Sequence, residues 1–378
     1  MICPKCGAPG AKRNGAGRGL CLAGKRHTFT ITEEIDAEAA ATRAGTAPEF
    51  GLIDSAAAGT FMGKVTVHRN AAGEVVNTWA RYHPDDEKRM VALLAAVEAM
   101  GEKLPREKAR AAPAKTAADL CNVYVLTDFH LGMLAWHEET GADWDTDIAE
   151  RMLVDWFSAA IAQAPPSEFA VFAQLGDFLH WDGMDAVTPA SKHLLDADTR
   201  FQKLVRVAIR AVRRVIGMLL AKHQRVHVLM AEGNHDPASS IWLREWLHAT
   251  FEDESRITVD RSPDPYYCVE HGLTALFFHH GHKRKPSNID TVFAAKFREV
   301  FGRTKHAYAH MGHMHHIDMK ETNLMVVEQH RTLAAPDAYA SRGGWMSGRD
   351  AVVVTYSKQH GEVSRCRVSS KMIESTYG

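Results

Sequence analysis

Five short clusters of Asp, Asn, His and Gly residues stand out in this chain of 378 residues. Each cluster directly follows a run of apolar residues, so its polar side chains come where a buried strand is predicted to end. The clusters are Asp128-Phe129-His130, Gly176-Asp177-Phe178-Leu179-His180, Gly233-Asn234-His235-Asp236, His279-His280-Gly281-His282 and Gly312-His313-Met314-His315-His316. A turn or a helix cap would explain one such cluster, but five in succession predict a shared site.

The chemistry of these side chains predicts a metal centre. Carboxylate, amide and imidazole groups together suit divalent ions such as Mn²⁺, Fe²⁺ or Zn²⁺. The five clusters contain no Cys, which argues against a structural zinc site at this place. The ligands are too many for one ion, whereas two ions that share a carboxylate, about 3.5–4 Å apart, would use them all. Such a pair of ions favours in-line displacement at phosphorus.

The elements that must position the clusters begin near residue 119, where apolar runs alternate with helix-like segments. Strands that alternate with helices predict an α/β sheet. The predicted helices are 146–162, 200–222, 240–250 and 288–301. Ligands bind beyond the carboxyl ends of the strands in such sheets, so the five clusters are expected to converge.

Residues 1–32 contain a second candidate metal site. A knuckle with two Cys residues, followed by one more thiolate and one imidazole, can complete a tetrahedral Zn²⁺ site. Its ligands would be Cys3, Cys6, Cys21 and His27. The segment carries six Lys and Arg residues and no acidic residue, and a piece this small needs a staple such as a metal ion to fold. It resembles the zinc ribbons of DNA-processing proteins, which implies contact with DNA; the alternative is a disordered tail.

Residues 33–118 are predicted to connect this ribbon to the catalytic domain. Alternating residues at 64–68 and 75–79 indicate a β-hairpin. Pro84 and the acidic residues after it are typical of a helix start, and apolar residues at helical spacing continue to Met100. The predicted domains are therefore 1–32, 33–118 and 119–378.

Composition excludes several classes of protein. The net charge is −1, so any surface that attracts nucleic acid must be local. No apolar run is long enough to span a bilayer, and the N-terminus lacks the apolar region of a secretory signal. The six Cys residues do not form a disulfide framework, which predicts a cytoplasmic protein.

In their order and spacing, the five clusters resemble the calcineurin-like metallophosphoesterases over roughly residues 120–370. His180, where many members have Asp, makes the second cluster similar to that of the Mre11/SbcD-type DNA nucleases and of phage-encoded relatives. The resemblance implies an αββα sandwich, in which two mixed sheets are flanked by helices. Those nucleases work with a Rad50-like ATPase through a region after the catalytic domain. The chain offers little length there, so no such partner is expected.

The resemblance also implies a role for each matching position. The implied ligands are Asp128, His130 and His315 for one ion, Asn234, His280 and His313 for the other, and Asp177 as the bridge between them. The nucleophile would be a hydroxide that bridges the two ions. His235 would contact the scissile phosphate or protonate the leaving oxygen, and Asp236 would orient its ring. His180 would lie near the phosphate.

Neighbouring residues leave some assignments open. His280 is favoured as a ligand by its place before Gly281, and His282 is its competitor. The spacing from Gly312 favours His315 over His316. Candidate substrate contacts are Lys192, His193, Arg200, Lys283 and Arg284, and the alternative for each is a solvated surface residue. The segment 342–345 could offer a stacking edge for bases through its Trp, or could be a turn with a packed ring.

We therefore expect a two-metal-dependent phosphodiester hydrolase, and in particular a DNA nuclease. Mn²⁺ is the favoured ion, with Fe²⁺, Mg²⁺ and Zn²⁺ as alternatives. The basic segment 1–32 favours DNA, since a small-molecule enzyme has little use for it. The same centre would serve a phosphatase or a cyclic-nucleotide phosphodiesterase, and a non-catalytic DNA-binding protein is the alternative outside enzymes. A homo-oligomer is compatible with the sequence.

Overall fold

The computed structural model describes residues 12–13, 18–20, 28–30, 60–70, 73, 75–84 and 111–374. By the contacts between Cα atoms, the chain divides into two compact units, Met1–Leu93 and Leu94–Gly378. No helix among the described residues is long and apolar enough to cross a membrane.

The first unit contains two small antiparallel sheets. One is formed by β1 (Lys12–Arg13), β2 (Arg18–Leu20) and β3 (Thr28–Thr30). The other is the predicted hairpin, with strands β4 (Thr60–Arg69) and β5 (Val75–Pro84). Pro84 is the last residue of β5, so the helix that we expected to open there does not begin at this residue. The rest of that predicted helix and the four predicted zinc ligands, Cys3, Cys6, Cys21 and His27, lie outside the described residues.

Four parallel strands begin the second unit, and each is followed by a helical segment or a loop. The strands are β6 (Ala117–Leu126), β7 (Ser167–Gln174), β8 (Arg225–Met230) and β9 (Ile257–Val259). The helices between them are α1 (His137–Thr140), α2 (Thr146–Gln163), α3 (Phe201–Lys222) and α4 (Pro237–Thr250). Helix α2 begins where the Asp145 carboxylate accepts a hydrogen bond of 2.6 Å from the Ile148 N–H, which satisfies a free donor of the first turn.

A second, mixed sheet follows in the chain. Its strands are β10 (Tyr267–His271), β11 (Thr274–His279), β12 (His306–Met311), β13 (Asp318–Glu321) and β14 (Val326–Gln329), in the order β10-β11-β12-β14-β13. The predicted helix 288–301 is two short helices, α5 (Asp290–Lys296) and α6 (Arg298–Arg303). The backbone leaves the helical region at Phe297, whose ring packs 5.8 Å from that of Phe277.

The chain then returns to the first sheet. After α7 (Ala338–Arg342), strand β15 (Asp350–Ser357) pairs antiparallel with β6, and β16 (Gly361–Ser369) pairs antiparallel with β15 at the edge of the sheet. A short helix, α8 (Ser370–Glu374), ends the described chain. The first sheet thus has the order β16-β15-β6-β7-β8-β9.

The second unit has four layers, which are helices, the first sheet, the second sheet and helices, and an apolar core lies between each pair of adjacent layers. The core between the first sheet and its helices includes Trp156, Phe157, Phe172 and Val212. The core between the two sheets includes Val171, Leu276, Phe278 and Val354. A third core packs α5 and α6 against the outer face of the second sheet, and it includes Phe277, Phe293 and Met311. The predicted αββα sandwich of two mixed sheets is confirmed.

Phe172 provides a test of this packing, because its ring is fully buried and lies 5.1 Å from the ring of Phe157 on α2. We expect Phe172→Ala to lower the free energy of unfolding by about 3–5 kcal/mol, through lost transfer energy and the cavity left behind. Urea denaturation followed by circular dichroism measures it. Val363→Ala, at a half-exposed position of β16, is the control and should change stability by less than about 0.5 kcal/mol. Equal effects would contradict this account of the core.

Candidate metal centre

The carboxyl ends of strands from both sheets meet at one place. Beyond the first sheet, the backbone N–H of Asp128 donates to the Gly176 carbonyl at 3.1 Å, which ties the segments after β6 and β7 together. Beyond the second sheet, the Gly312 N–H donates to the His280 carbonyl at 2.8 Å, which ties the segments after β11 and β12. The five predicted clusters therefore lie at the edges where parallel strands end, as expected for an α/β site.

The backbone at this place is unusual. Six non-Gly residues of the described chain have a positive φ, and one of them is Lys192 in a loop. The other five are predicted metal ligands: Asp128 (51°), His130 (47°), Asp177 (52°), His313 (75°) and His315 (55°). Such a conformation costs about 1–3 kcal/mol per residue and persists only where surrounding contacts enforce it. The strain thus coincides with the ligand positions.

Asp128 is fully buried and is held by several partners. Its Oδ2 accepts hydrogen bonds from the Thr127 hydroxyl at 2.5 Å and from the His313 N–H at 2.8 Å. Its Oδ1 lies 3.1 Å from His315 Nε2. One oxygen is thereby fixed by the protein frame, and the other faces the imidazoles.

Asp177 is arranged in the same way. Its Oδ1 accepts the His235 backbone N–H at 2.8 Å, and its Oδ2 lies 3.1 Å from His280 Nε2. His280 donates from Nδ1 to the Leu175 carbonyl at 2.9 Å, so Nε2 is the nitrogen that faces the site. This nitrogen is also 3.0 Å from Asn234 Oδ1. A backbone bond at one imidazole nitrogen commonly sets the other as a metal ligand.

The ligand atoms form two groups able to hold a metal ion, each with its atoms within 4.8 Å of one another. One group contains Asp128, Asp177, His280 and His313, and the other contains Asp128, His130 and His315. The structure thus brings all seven predicted ligands together, with Asn234 at His280. The carboxylate common to both groups is Asp128, whereas the family resemblance implied Asp177 as the bridge.

The competing His residues are placed differently. The ring of His282 lies 5.2 Å from that of His280, but His282 belongs to neither group, and its buried Nδ1 has no hydrogen-bond partner. His316 is exposed, and its Nδ1 donates to the Met314 carbonyl at 2.9 Å. The geometry therefore selects His280 and His315.

Electrostatics supports a cation at this place. Burial opposes ionisation of Asp128, but the nearby His315 and His280 outweigh it and lower the pKa of the carboxyl. Burial likewise opposes protonation of His280, but Asp177 and Asp128 raise its pKa to about 9. A proton on His280 thus offsets part of the charge of two buried carboxylates. A divalent cation can take that place, and the oxygen and nitrogen donors fit Mn²⁺, Fe²⁺ or Zn²⁺.

Another group of possible ligands consists of three His residues, and it shares His130 with the ligand groups above and adds His180 and His235. His235 donates from Nδ1 to the His180 carbonyl at 2.8 Å, and the rings of these two residues stack with centroids 5.6 Å apart. His180 Nδ1 lies 3.2 Å from His130 Nδ1. His180 and His235 therefore border the ligand set.

The expectation that Asp236 orients the His235 ring is wrong. Asp236 instead accepts the backbone N–H groups of Asp177 at 3.1 Å and Leu179 at 3.0 Å. Two adjacent residues at a turn point in different directions, and the carboxylate of Asp236 is buried under the segment after β7. Burial and the nearby Asp177 raise the pKa of Asp236 to about 8. Its role is to fix the Asp177 loop.

Two glycines allow this close packing. A Cβ at Gly233 would lie 2.0 Å from Asp177 Oδ1, and one at Gly312 would lie 1.8 Å from the Thr127 hydroxyl. Neither contact is sterically allowed, so each glycine permits a backbone to approach a ligand carboxylate. This explains why Gly precedes the ligands in the third and fifth clusters.

The sequence reasoning missed two supporting hydroxyls. Thr127, beside Asp128 in the chain, bonds its carboxylate, and Thr332 donates to the Asp128 carbonyl at 2.5 Å. Thr127 could have been found as a polar residue at a strand end. Thr332 has no local signal, because it is 204 residues away from its partner.

The predicted substrate contacts are exposed and lie on two loops. Lys192, His193 and Arg200 lie between β7 and α3, and Lys283 and Arg284 follow β11. Lys283 Nζ lies 3.8 Å from Glu232 Oε1, two residues before the ligand Asn234. Of the five, Lys283 thus has a direct contact with a residue beside the metal ligands.

Comparison with known proteins gives only distant structural likenesses. No protein-family model and no curated protein sequence matches the chain. A predicted phosphoesterase of Streptococcus pneumoniae is similar over 67% of this chain and 99% of its own, with 10% identity and a TM-score of 0.26. An archaeal phosphodiesterase is similar over 66% and 99%, with 13% identity and a TM-score of 0.34. A 5′-nucleotidase precursor of Thermus thermophilus is similar over 68% and 58%, with 10% identity and a TM-score of 0.33. Likenesses this weak carry no functional argument.

The shared position of Asp128 gives a prediction about metal content. We expect Asp128→Asn to reduce bound Mn²⁺ from about two ions per chain to below one, because both ligand groups lose a carboxylate. His130→Ala, which touches one group, should retain about one ion. Plasma mass spectrometry after gel filtration measures both, and circular dichroism checks folding. Full Mn²⁺ content in Asp128→Asn would contradict the ligand assignment.

Proposed function

We propose that this protein is a two-metal-dependent phosphodiester hydrolase and that its substrate is DNA. The observation that carries the proposal is the convergence of seven ligand side chains from segments of both sheets, two of them buried carboxylates, with His235 at their border. The order of these ligands along the chain also resembles that of the calcineurin-like metallophosphoesterases, and His180 resembles the Mre11/SbcD-type nucleases among them.

The chemistry divides between the ions and the protein. Two divalent ions in such a site neutralise phosphate oxygens and lower the pKa of water, which supplies a nucleophile at neutral pH. The residues that would hold one ion are Asp128, His130 and His315, and those that would hold the other are Asp128, Asp177, His280 and His313, with Asn234 beside His280. The backbone bonds to Asp128 and Asp177 hold the ligands in place before substrate arrives, as catalysis by preorganised charge requires.

His235 is the proposed proton donor. Its Nδ1 is committed to the His180 carbonyl, so Nε2 is the nitrogen that can carry a proton to the leaving oxygen. His180 supports this orientation through its backbone, and its ring lies against those of His130 and His235. In this assignment the His180 carbonyl fixes the orientation of the imidazole.

Basic residues in the predicted zinc-binding segment and beside the metal centre favour DNA over a small phosphodiester as the substrate. The segment 1–32 carries six basic and no acidic residues, and Lys283 and Arg284 are exposed directly after a ligand segment. Local basic groups attract a polyanion although the chain as a whole is nearly neutral. A phosphatase or cyclic-nucleotide phosphodiesterase would use the same centre, and substrate tests separate these activities.

The His235→Ala variant tests the catalytic proposal. With Mn²⁺ and end-labelled DNA, we expect its cleavage rate to fall by about 10²–10⁴-fold, because proton transfer to the leaving oxygen is lost. Its Mn²⁺ content should match the wild type. His248→Ala, an exposed His at the end of α4, is the control and should cleave normally.

Three outcomes would overturn parts of this proposal. Normal cleavage by His235→Ala would remove His235 from catalysis. Rapid hydrolysis of bis(p-nitrophenyl) phosphate or of cyclic nucleotides, with no cleavage of any DNA, would favour the small-molecule alternative. DNA binding without hydrolysis of any phosphoester would identify a non-catalytic DNA-binding protein.

We also propose that residues 1–32 bind one structural Zn²⁺ through Cys3, Cys6, Cys21 and His27, and that this ribbon contacts DNA. Cys6→Ser in the full chain should then remove one equivalent of zinc, because a tetrahedral site needs all four ligands. Elemental analysis measures the zinc, and Cys366→Ser is the control thiol, since Cys366 lies on β16 in the other unit. Unchanged zinc in Cys6→Ser would disprove the ribbon.

A further inference from the structure

Exposed aromatic rings are concentrated in one part of the protein. Among the residues whose side chains the structure describes, just three aromatic residues are exposed: Trp136, Tyr339 and Trp345, at 55%, 70% and 59% of their surface. Trp136 directly precedes α1, Tyr339 is on α7, and Trp345 follows α7. We refer to the surface formed by these three residues and Arg342 as the aromatic platform.

The two helices of the platform are joined to each other. The Ser341 hydroxyl donates to the Glu139 carbonyl at 2.7 Å, and Arg342 Nη2 donates to Glu139 Oε1 at 2.7 Å. The ring of Trp345 packs edge-on against Tyr339 with centroids 5.1 Å apart, and its backbone N–H donates to the Ala340 carbonyl at 3.1 Å. The rings of Tyr339 and Trp345 are thus held in place although they face solvent. Binding of a ligand would therefore cost little of their conformational entropy.

Helix α1 follows a segment that holds metal ligands, and the segment before α7 is hydrogen-bonded to one of them. Trp136 follows His130 by six residues, a separation that the extended chain spans in roughly 20 Å at most. Trp144 holds this stretch in place. Its Nε1 donates to the His130 carbonyl at 3.4 Å, and its backbone N–H and carbonyl pair with those of Ala135. The segment that leads to α7 is tied to the centre by the Thr332 hydroxyl on the Asp128 carbonyl. The platform is therefore fixed relative to the metal centre.

The platform presents flat apolar rings, and the charge of its Arg342 is paired. Exposed Met346 directly follows Trp345, and other exposed apolar residues lie on the loops after strands that carry metal ligands: Leu134, Met184, Leu194, Met314 and Ile317. The charge of Arg342 is balanced by Glu139, and Glu138 is exposed nearby. Duplex DNA presents phosphates outward and would be bound by a cationic track. Unpaired bases instead present flat apolar faces, which stack on Trp and Tyr rings.

We infer that the aromatic platform stacks the unpaired bases of a nucleic-acid strand whose phosphodiester lies at the metal centre. This inference rests on the proposed hydrolase function and refines its substrate to a single strand or a frayed end. Stacking does not depend on base identity, because every base has an apolar face. The platform therefore sets the strandedness of the substrate and not its sequence.

The test uses the full chain with Trp345→Ala, Tyr339→Ala and the conservative Trp345→Phe. Met372→Ala, at an exposed position of α8, is the control. Fluorescence anisotropy with EDTA present measures binding of a dT oligomer, a U oligomer and a blunt duplex without cleavage. Turnover with Mn²⁺ is then measured on the dT oligomer and on bis(p-nitrophenyl) phosphate, which is too small to reach the platform.

We expect each alanine variant to bind the dT oligomer about tenfold more weakly and Trp345→Phe to bind it nearly normally. The loss should be the same at about 50 mM and about 300 mM salt, because it removes no phosphate contact. The variants should raise KM for the dT oligomer and leave hydrolysis of bis(p-nitrophenyl) phosphate unchanged. A parallel loss with the U oligomer would extend the inference to RNA.

Other outcomes would overturn the inference and leave the proposed function standing. One is normal dT binding by both alanine variants while the wild type hydrolyses the small diester. Another is an equal loss of duplex binding. A third is a wild-type dimer that Trp345→Ala converts to monomers in sedimentation, which would make the platform a self-interface. If the wild type hydrolysed no phosphodiester, the proposed function would fail, whereas a tenfold loss of dT binding would still support the platform.

Discussion

The structure depends on two carboxylates buried together at the junction of two sheets. Asp128 and Asp177 have almost no solvent contact, and His280 Nε2 lies 3.9 Å from one and 3.1 Å from the other. Burial of two like charges is unfavourable unless positive charge compensates them. Protonated imidazoles provide part of that compensation, and a pair of divalent cations would provide more. The ring of His and Asn side chains around the carboxylates follows from this requirement.

The relative position of the two sheets sets the ligand geometry. The first sheet positions Asp128, Asp177 and Asn234, and the second positions His280 and His313. No single sheet therefore holds a complete ligand group. The apolar core between the sheets fixes their separation, because its side chains are close-packed and cannot shift independently. Packing far from the site thus controls distances within it.

Backbone strain and close contacts of the backbone are concentrated where the ligands lie. Five ligand residues have a backbone conformation that L-amino acids seldom adopt, and backbone at Gly233 and Gly312 lies against the ligand carboxylates and their partners. Hydrogen bonds that Asp236 accepts from the backbone N–H groups of Asp177 and Leu179 hold that arrangement. On the outside, by contrast, the loops carry exposed apolar and aromatic residues, such as Trp345.

The sequence by itself determined the α/β class, three of the four predicted helices closely, and the set of side chains that converge. It could do so because hydrophobic periodicity and strand-end clusters are local signals. Only the tertiary structure decided that His280 and not His282 faces the carboxylates, that Asp128 is common to both ligand groups, and that Asp236 bonds backbone instead of the His235 ring. It also revealed Thr332 and the meeting of α1 with α7. These features depend on the direction of side chains at strained turns and on contacts between residues far apart in the chain, which no local pattern encodes.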